Sequence, residues 1–200
     1  MTVTAMHQRI AELQQRLAAE VGLRQQLLRV ATALGSTLNL DELLQLVMTA
    51  AAEVLHAETS SLLLLDPATG ELTIKVAGGT VGPGVHEQRI PPGRGIAGWA
   101  VSHRQVVVVE DAAADERFYP DVDARSGFET RNLLAVPLQV KDRVLGVVEV
   151  VNKLGDRGFD AGDVEVATAF ASLAAIALDN AVLYAKLTDA VVTARLSYRL

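Results

Sequence analysis

The chain has 200 residues, enough for one ordinary domain and some additional elements. Half of the residues are apolar and 21% are charged, which excludes a disordered or low-complexity chain. A net charge of −6 without a basic block argues against binding to a phosphate backbone, and the lack of cysteine excludes disulfides, thiolate metal sites and cysteine nucleophiles.

Met1–Ile10 is polar and lacks the apolar core of a secretory signal. The longest aliphatic runs, Leu62–Leu65 and Val106–Val109, fall far short of the roughly 20 residues that span a bilayer. The expectation is a cytoplasmic protein that engages neither membrane nor nucleic acid.

The segment from His7 to Leu34 has no proline, and Ile10, Leu13 and Leu17 recur at helical spacing. Val21, Leu28 and Ala31 continue the stripe after a four-residue step, as in a stutter. So narrow a stripe fits a helix lying on its own domain or a dimeric coiled coil. A second helix begins at Asn39 or Asp41, both capping residues, and ends near His56.

Extended structure follows. Ser60–Leu65 and the alternating Glu71–Val76 read as a hairpin across the turn Asp66-Pro67-Ala68-Thr69-Gly70. A third strand is expected over Val85–Ile90, a short helix over Gly95–His103, and a fourth strand over Gln105–Val109. Glu110–Arg131 reads as an irregular polar segment with embedded Phe118, Tyr119 and Phe128. Loops of that length in a compact domain are commonly functional. Leu133–Val140 and Arg143–Asn152 form a last hairpin, and a long helix runs from Asp160 to near Leu196. This order gives an α+β fold: a six-stranded antiparallel sheet, N- and C-terminal helices on one face, and a lid over a ligand pocket on the other.

Gly93-Arg94-Gly95-Ile96-Ala97-Gly98 fits the dinucleotide pattern, but no long strand precedes it and no acid follows at about 20 residues. It reads as a helix start whose free amides can hold a phosphate, or as a plain turn. The acids between Glu110 and Asp123 lack EF-hand spacing, and the four histidines are isolated, so no metal site is expected. Glu149 alternates with Val147 and Val151 on one sheet face, where a carboxylate either reaches solvent or points into a pocket. No catalytic constellation is present, and no enzyme activity is expected.

Several stretches carry a family resemblance: Ser61–Asp66, Ile90–Gly98, Phe118-Tyr119, Gly127–Leu134, Val136–Leu138 and Leu145–Lys153. In this order the chain resembles a GAF domain over residues 39–187, with an N-terminal signalling helix over 1–38 and a helical extension over 188–200. It is most similar to the cyclic-nucleotide-binding GAF domains of phosphodiesterases and adenylate cyclases. Their signature is matched by Asn152-Lys153, Phe159 and Asp163, with Val164 in place of the final Glu. The resemblance implies that Lys153 and Asp163 form an ion pair that stabilises the pocket. It implies ligand contacts at Ser61, Ile96, Ala97, Tyr119, Asp123, Ser126, Thr130 and Glu149, with cyclic AMP or cyclic GMP as the ligand and no other cofactor.

The expected function is a small-molecule-sensing regulatory domain in signal transduction, acting on a downstream output domain or protein. Transmission would run through terminal helices that pair in a homodimer along Ile10, Leu13, Leu17 and Leu28, and along Phe170, Leu173, Ala177, Tyr184, Leu187 and Val191. The alternative is a ligand-free dimerisation or scaffold module. It draws on Ala77 and Gly78, which stand where the family has an aromatic and an acid against the base, and on Val164.

Overall fold

The computed structural model describes residues 40–79 and 87–197, preceded by isolated positions such as Leu13 and Val21, with side chains described as far as Val182. Most of the N-terminal helix expected over 7–34 lies outside the described residues. So do the start of the strand expected from Val85 and the side chains of Tyr184, Leu187 and Val191.

Strands β1 (Ala57–Leu65), β2 (Leu72–Gly79), β3 (Arg89–Ile90), β4 (Val107–Val109), β5 (Leu133–Val140) and β6 (Arg143–Lys153) form one sheet. Their order is β3-β2-β1-β6-β5-β4, and all neighbours are antiparallel. Helices α1 (Leu40–Val54) and α4 (Ala161–Ser197) cover one face. The other face carries α2 (Gly95–His103) and the segment after β4, which contains a short helix α3 (Asp121–Ser126).

The alternation in β6 divides the core. Val148 and Val150 face α1 and α4 together with Leu62, Leu134 and Phe170. Val147 and Val151 face α2 with Ile74, Ile96 and Leu133. Glu149 therefore projects to the α2 side, between the apolar Val147 and Val151 of its own strand.

Several boundaries differ from expectation for identifiable reasons. β1 starts at Ala57 rather than Ser60, because His56 takes a left-handed turn directly after α1. β4 starts at Val107 rather than Gln105. Its register ends with Val107 opposite Ala135, two residues short of Pro137, which has no N–H to donate to a longer strand. The expected irregular lid over Glu110–Arg131 contains α3, because Pro120 sets its first turn and Gly127 closes it in a left-handed cap accepted by the Asp123 carbonyl.

The proposed dimer seam is also corrected. Phe170 and Ala177 are buried against the sheet in the domain's own core, so these two residues cannot pair with a second chain, and Leu173 packs half-buried beside them. Ala161–Val182 has the length and apolarity of a bilayer-spanning helix, and here its buried flank lies on the sheet.

Gly78 sets the distance between β2 and α1. A Cβ there would sit 2.9 Å from the Thr49 amide nitrogen and 3.1 Å from the Met48 carbonyl carbon. Nearby, Ser60 donates its hydroxyl to the Met48 carbonyl at 2.6 Å, and Gln45 donates to the Ala77 carbonyl at 3.1 Å. Gly78 thus faces α1, on the opposite side of the sheet from Glu149. Gly78→Ala is expected to lower unfolding stability by about 1–3 kcal/mol, measured by urea denaturation, because the added methyl meets backbone that cannot swing aside.

Candidate functional site

Between the α2-side face of the sheet and the segment around α3 lies a hollow with two lobes, each of about 60 Å³. The first lies against the start of α2 and is bordered by Ile96, Ala97 and Tyr119. The second lies over β1 and β2 and is bordered by Ser61, Ala77 and Ser126. Asp123, Thr130 and Glu149 line both lobes and form the waist between them. All eight residues expected to meet a ligand therefore converge on this hollow. Ala77 lies on its wall too, whereas Gly78 does not.

Each wall has a local origin. β6 lies between β1 and β5, with Glu149 opposite Ser61 on one side and Ala135 on the other. At the start of α2, Gly93 and Gly95 both adopt positive φ, and a Cβ on Gly98 would meet the Gly93 carbonyl carbon at 2.7 Å. The glycines therefore turn the chain tightly into the helix. Its first amides, including those of Ile96 and Ala97, have no partner within the helix, and both residues line the first lobe.

The roof is bonded mainly to itself. The Asp123 carboxylate accepts the Thr130 amide at 2.6 Å and the Thr130 hydroxyl at 2.9 Å. Ser126 donates its hydroxyl to the Val122 carbonyl at 2.9 Å and accepts the Phe128 amide at 3.2 Å. Tyr119 donates its phenol to Asp121 at 2.8 Å. The groups expected to reach a ligand thus satisfy one another across the roof.

Its two ends are anchored separately. At the near end Arg117 forms two bonds with Asp115, at 2.9 and 2.6 Å, and lies 4.9 Å over the Trp99 ring of α2. At the far end sits Asn152, fully buried and at positive φ in β6. Its amide donates to the Glu129 carbonyl at 2.7 Å and to Glu58 at 2.8 Å. Its side-chain oxygen accepts the Arg131 amide at 2.7 Å. Arg131 returns to Glu58 at 2.6 Å, and these two bonds hold the Glu58 carboxyl below its usual range. Sequence reasoning placed Asn152 in a family signature and missed this role. The available signal was an amide ending the aliphatic run of a buried strand.

Lys153 follows directly. Its ammonium reaches Asp163 at 2.6 Å in the first turn of α4, and both side chains are mostly buried. The same ammonium lies 5.7 Å over the Phe159 ring. Asp160 and Asp163 cap each other's backbone amides at 3.0 Å, which fixes the helix start. Val164, in place of an acid, packs against the core below α1 and α4.

Glu149 is the electrostatic anomaly of the site. Part of its surface borders the hollow, and protein encloses it on all other sides. No hydrogen-bond donor among the described residues reaches its carboxyl. Loss of hydration, and secondarily the charge of Asp123, push its pKa up to about 7. Among the described residues no Lys, Arg or His lines either lobe.

The sign of the pH effect follows. An unfolded glutamate loses its proton near 4.5, whereas the folded one keeps it to about 7. Folding stability therefore falls as pH rises through this window, by up to ~3 kcal/mol in all. The Glu149→Gln variant is expected to lack that decline when wild type and variant are unfolded in urea at pH 4.5, 6 and 7.5.

Comparison with known proteins places the chain. The GAF domain family model matches residues 39–178. A probable 3',5'-cyclic phosphodiesterase of Caenorhabditis elegans is 31% identical over 158 residues, covering 74% of this chain and 22% of the relative. A dual 3',5'-cyclic-AMP and -GMP phosphodiesterase 11A of Takifugu rubripes is 34% identical over 113 residues, covering 54% of this chain and 12% of the relative. The chain thus spans no more than about a fifth of these relatives. Among solved structures, the GAF domain of a phosphoenolpyruvate-protein phosphotransferase from Coxiella burnetii shares the fold at a TM-score of 0.72 and 19% identity, over 83% of this chain and 98% of that one. The second GAF domain of DevS from Mycobacterium smegmatis matches at a TM-score of 0.60 and 25% identity, over 74% and 99% of the two chains. The chain belongs to the GAF domain family.

Proposed function

We propose that the chain is a ligand-sensing regulatory module that binds a cyclic nucleotide in the two-lobed hollow. The observation that carries this reading is the convergence of Ser61, Ile96, Ala97, Tyr119, Asp123, Ser126, Thr130 and Glu149 on one hollow beneath a roof bonded mainly to itself. The phosphodiesterase names of the curated relatives support the choice of ligand class. In chemical terms the free amides at Ile96 and Ala97 suit the single negative charge of a cyclic phosphate. The carboxylates of Asp123 and Glu149 suit the N–H and O–H donors of a base and ribose.

Each lobe is well below the 300–1,000 Å³ usual for a ligand site, so a nucleotide enters only when the roof moves. Entry exchanges the internal bonds of Asp123, Ser126 and Thr130 for bonds to the guest. The displacement has a physical route onward. Glu129 and Arg131 are tied to Asn152, its neighbour Lys153 is tied to Asp163, and Asp163 opens α4. Regulation of an output domain or protein through α4, rather than catalysis, is the role this arrangement supports. Calorimetry with cyclic AMP and cyclic GMP tests the reading. At least one is expected to bind, with affinity reduced tenfold or more in Asp123→Ala and Thr130→Ala. The absence of heat with both would overturn it.

The small lobes favour a second reading, a scaffold module with the hollow closed. Its seam would use the exposed Ile176, 51% accessible, and Val182, 42% accessible, on the outer flank of α4. Light scattering of the purified chain is expected to give about twice the 21.3 kDa of one copy. A single-copy mass at micromolar concentration would reject pairing under either reading.

A further inference from the structure

The roof spans from the Arg117–Trp99 contact to the Asn152 bonds, and α3 lies between. The hydrogen bonds of Asp121, Asp123 and Ser126 all stay within this span. Apolar contacts from Phe118, Tyr119, Val122 and Phe128, with the Arg94 guanidinium over the Tyr119 ring, hold the middle of the span down on the core. Beneath it Glu149 stands on a fixed floor, in register with Ser61 and Ala135 on the flanking strands. Of the walls around Glu149, the sheet is held by continuous ladders and α2 by its packing, so the roof is the wall with freedom to move.

The charges facing Glu149 can be followed wall by wall. β1 offers Ser61, β5 offers Ala135 and β2 offers Ile74, none of them titratable in this range. α2 offers Ile96 and Ala97, with the guanidinium of Arg94 outside them, 5.6 Å over the Tyr119 ring. The roof offers Asp123 and Thr130, with the Tyr119 phenol turned to Asp121 and Arg125 exposed on the outer side of α3. Among the described residues the only formal charge lining the hollow besides Glu149 is thus another carboxylate. An ionised Glu149 would stand opposite Asp123, with no cation or donor among the described residues to offset it.

We propose that the roof is a pH-gated lid: protonated Glu149 lets α3 rest over the hollow, and ionised Glu149 drives the Asp123-bearing span outward, admitting water. Hydration of the two carboxylates lowers their repulsion, and the internal bonds of the span let it move without breaking up. The gate operates near neutrality, because loss of hydration raises the Glu149 carboxyl to about 7. It acts without a guest, so it goes beyond the nucleotide reading and does not depend on it.

Amide hydrogen exchange of the whole chain without nucleotide tests the gate. Peptides covering 118–131 are followed from pH 6 to 8.5, with rates corrected for intrinsic base catalysis, and β1 and β6 peptides serve as controls. Corrected exchange in the span is expected to rise at least fivefold with a midpoint near pH 7, while the controls stay flat. In Glu149→Gln the span is expected to stay protected throughout. A corrected rate independent of pH, or the same rise in the variant, would overturn the gate. If the variant does not fold, carbon NMR of the wild-type carboxyls decides. Glu149 titrating together with the exchange midpoint supports the gate, and titration in the ordinary carboxylate range overturns it. Failure of cyclic nucleotides to bind would leave each of these outcomes readable.

Discussion

The side chain of Asn152 is the constraint on which the rest of the site depends. It is one buried amide at a left-handed position, and it closes bonds to Glu58 on β1, to Glu129 and to Arg131. Without it the Glu129 carbonyl and the Arg131 amide would lose their side-chain partner, leaving the Arg131–Glu58 ion pair to tie the far end of the roof to the sheet. The sheet therefore holds the far end of the roof at one cluster, Asn152 with Glu58, and Asn152 adjoins the ion pair that anchors α4. The geometry of the hollow and the position of the terminal helix are set at adjacent links of one strand.

The two faces of the sheet are built to different standards. The face under α1 and α4 is filled by Leu62, Val148, Phe170 and similar residues with almost no solvent contact. Close backbone approach at Gly78 and a hydroxyl bond from Ser60 to Met48 make that interface rigid. The other face carries an acid amid aliphatic neighbours and a roof held by apolar contacts and its two ends. A stable face and an adaptable one within a single sheet suit a domain that must keep its fold while one wall rearranges.

Much of this was legible in the sequence. The 2-residue alternation of β6 placed Glu149 on the correct face, and the hairpin across Lys141 and Asp142 was readable from its turn. The resemblance brought eight dispersed residues to one hollow. What escaped was information held in partners. The helical form of Asp121–Ser126 is too short for periodicity to reveal, although Pro120 and Gly127 bracket it. Phe170 and Ala177 read equally well as a seam for a second helix or for a sheet, and only burial separates the two. Gly78 looked like a lost ligand contact, and it proved to be a point of backbone clearance against α1. The closed volume of the hollow could not be read from composition, because it arises from Asp123 and Thr130 finding each other.

The length of α4 carries a mechanical consequence. At 37 residues it is a rod of about 55 Å, seated at its first turn by Asp160 and Asp163. Its flank is held on the core as far as Leu178, so the arm that can swing runs from Asp179 to Ser197, about 28 Å, and a tilt of about 10° at its root sweeps the distal tip through about 5 Å. Small shifts where α4 leaves the sheet would thus arrive, magnified, at Ser197.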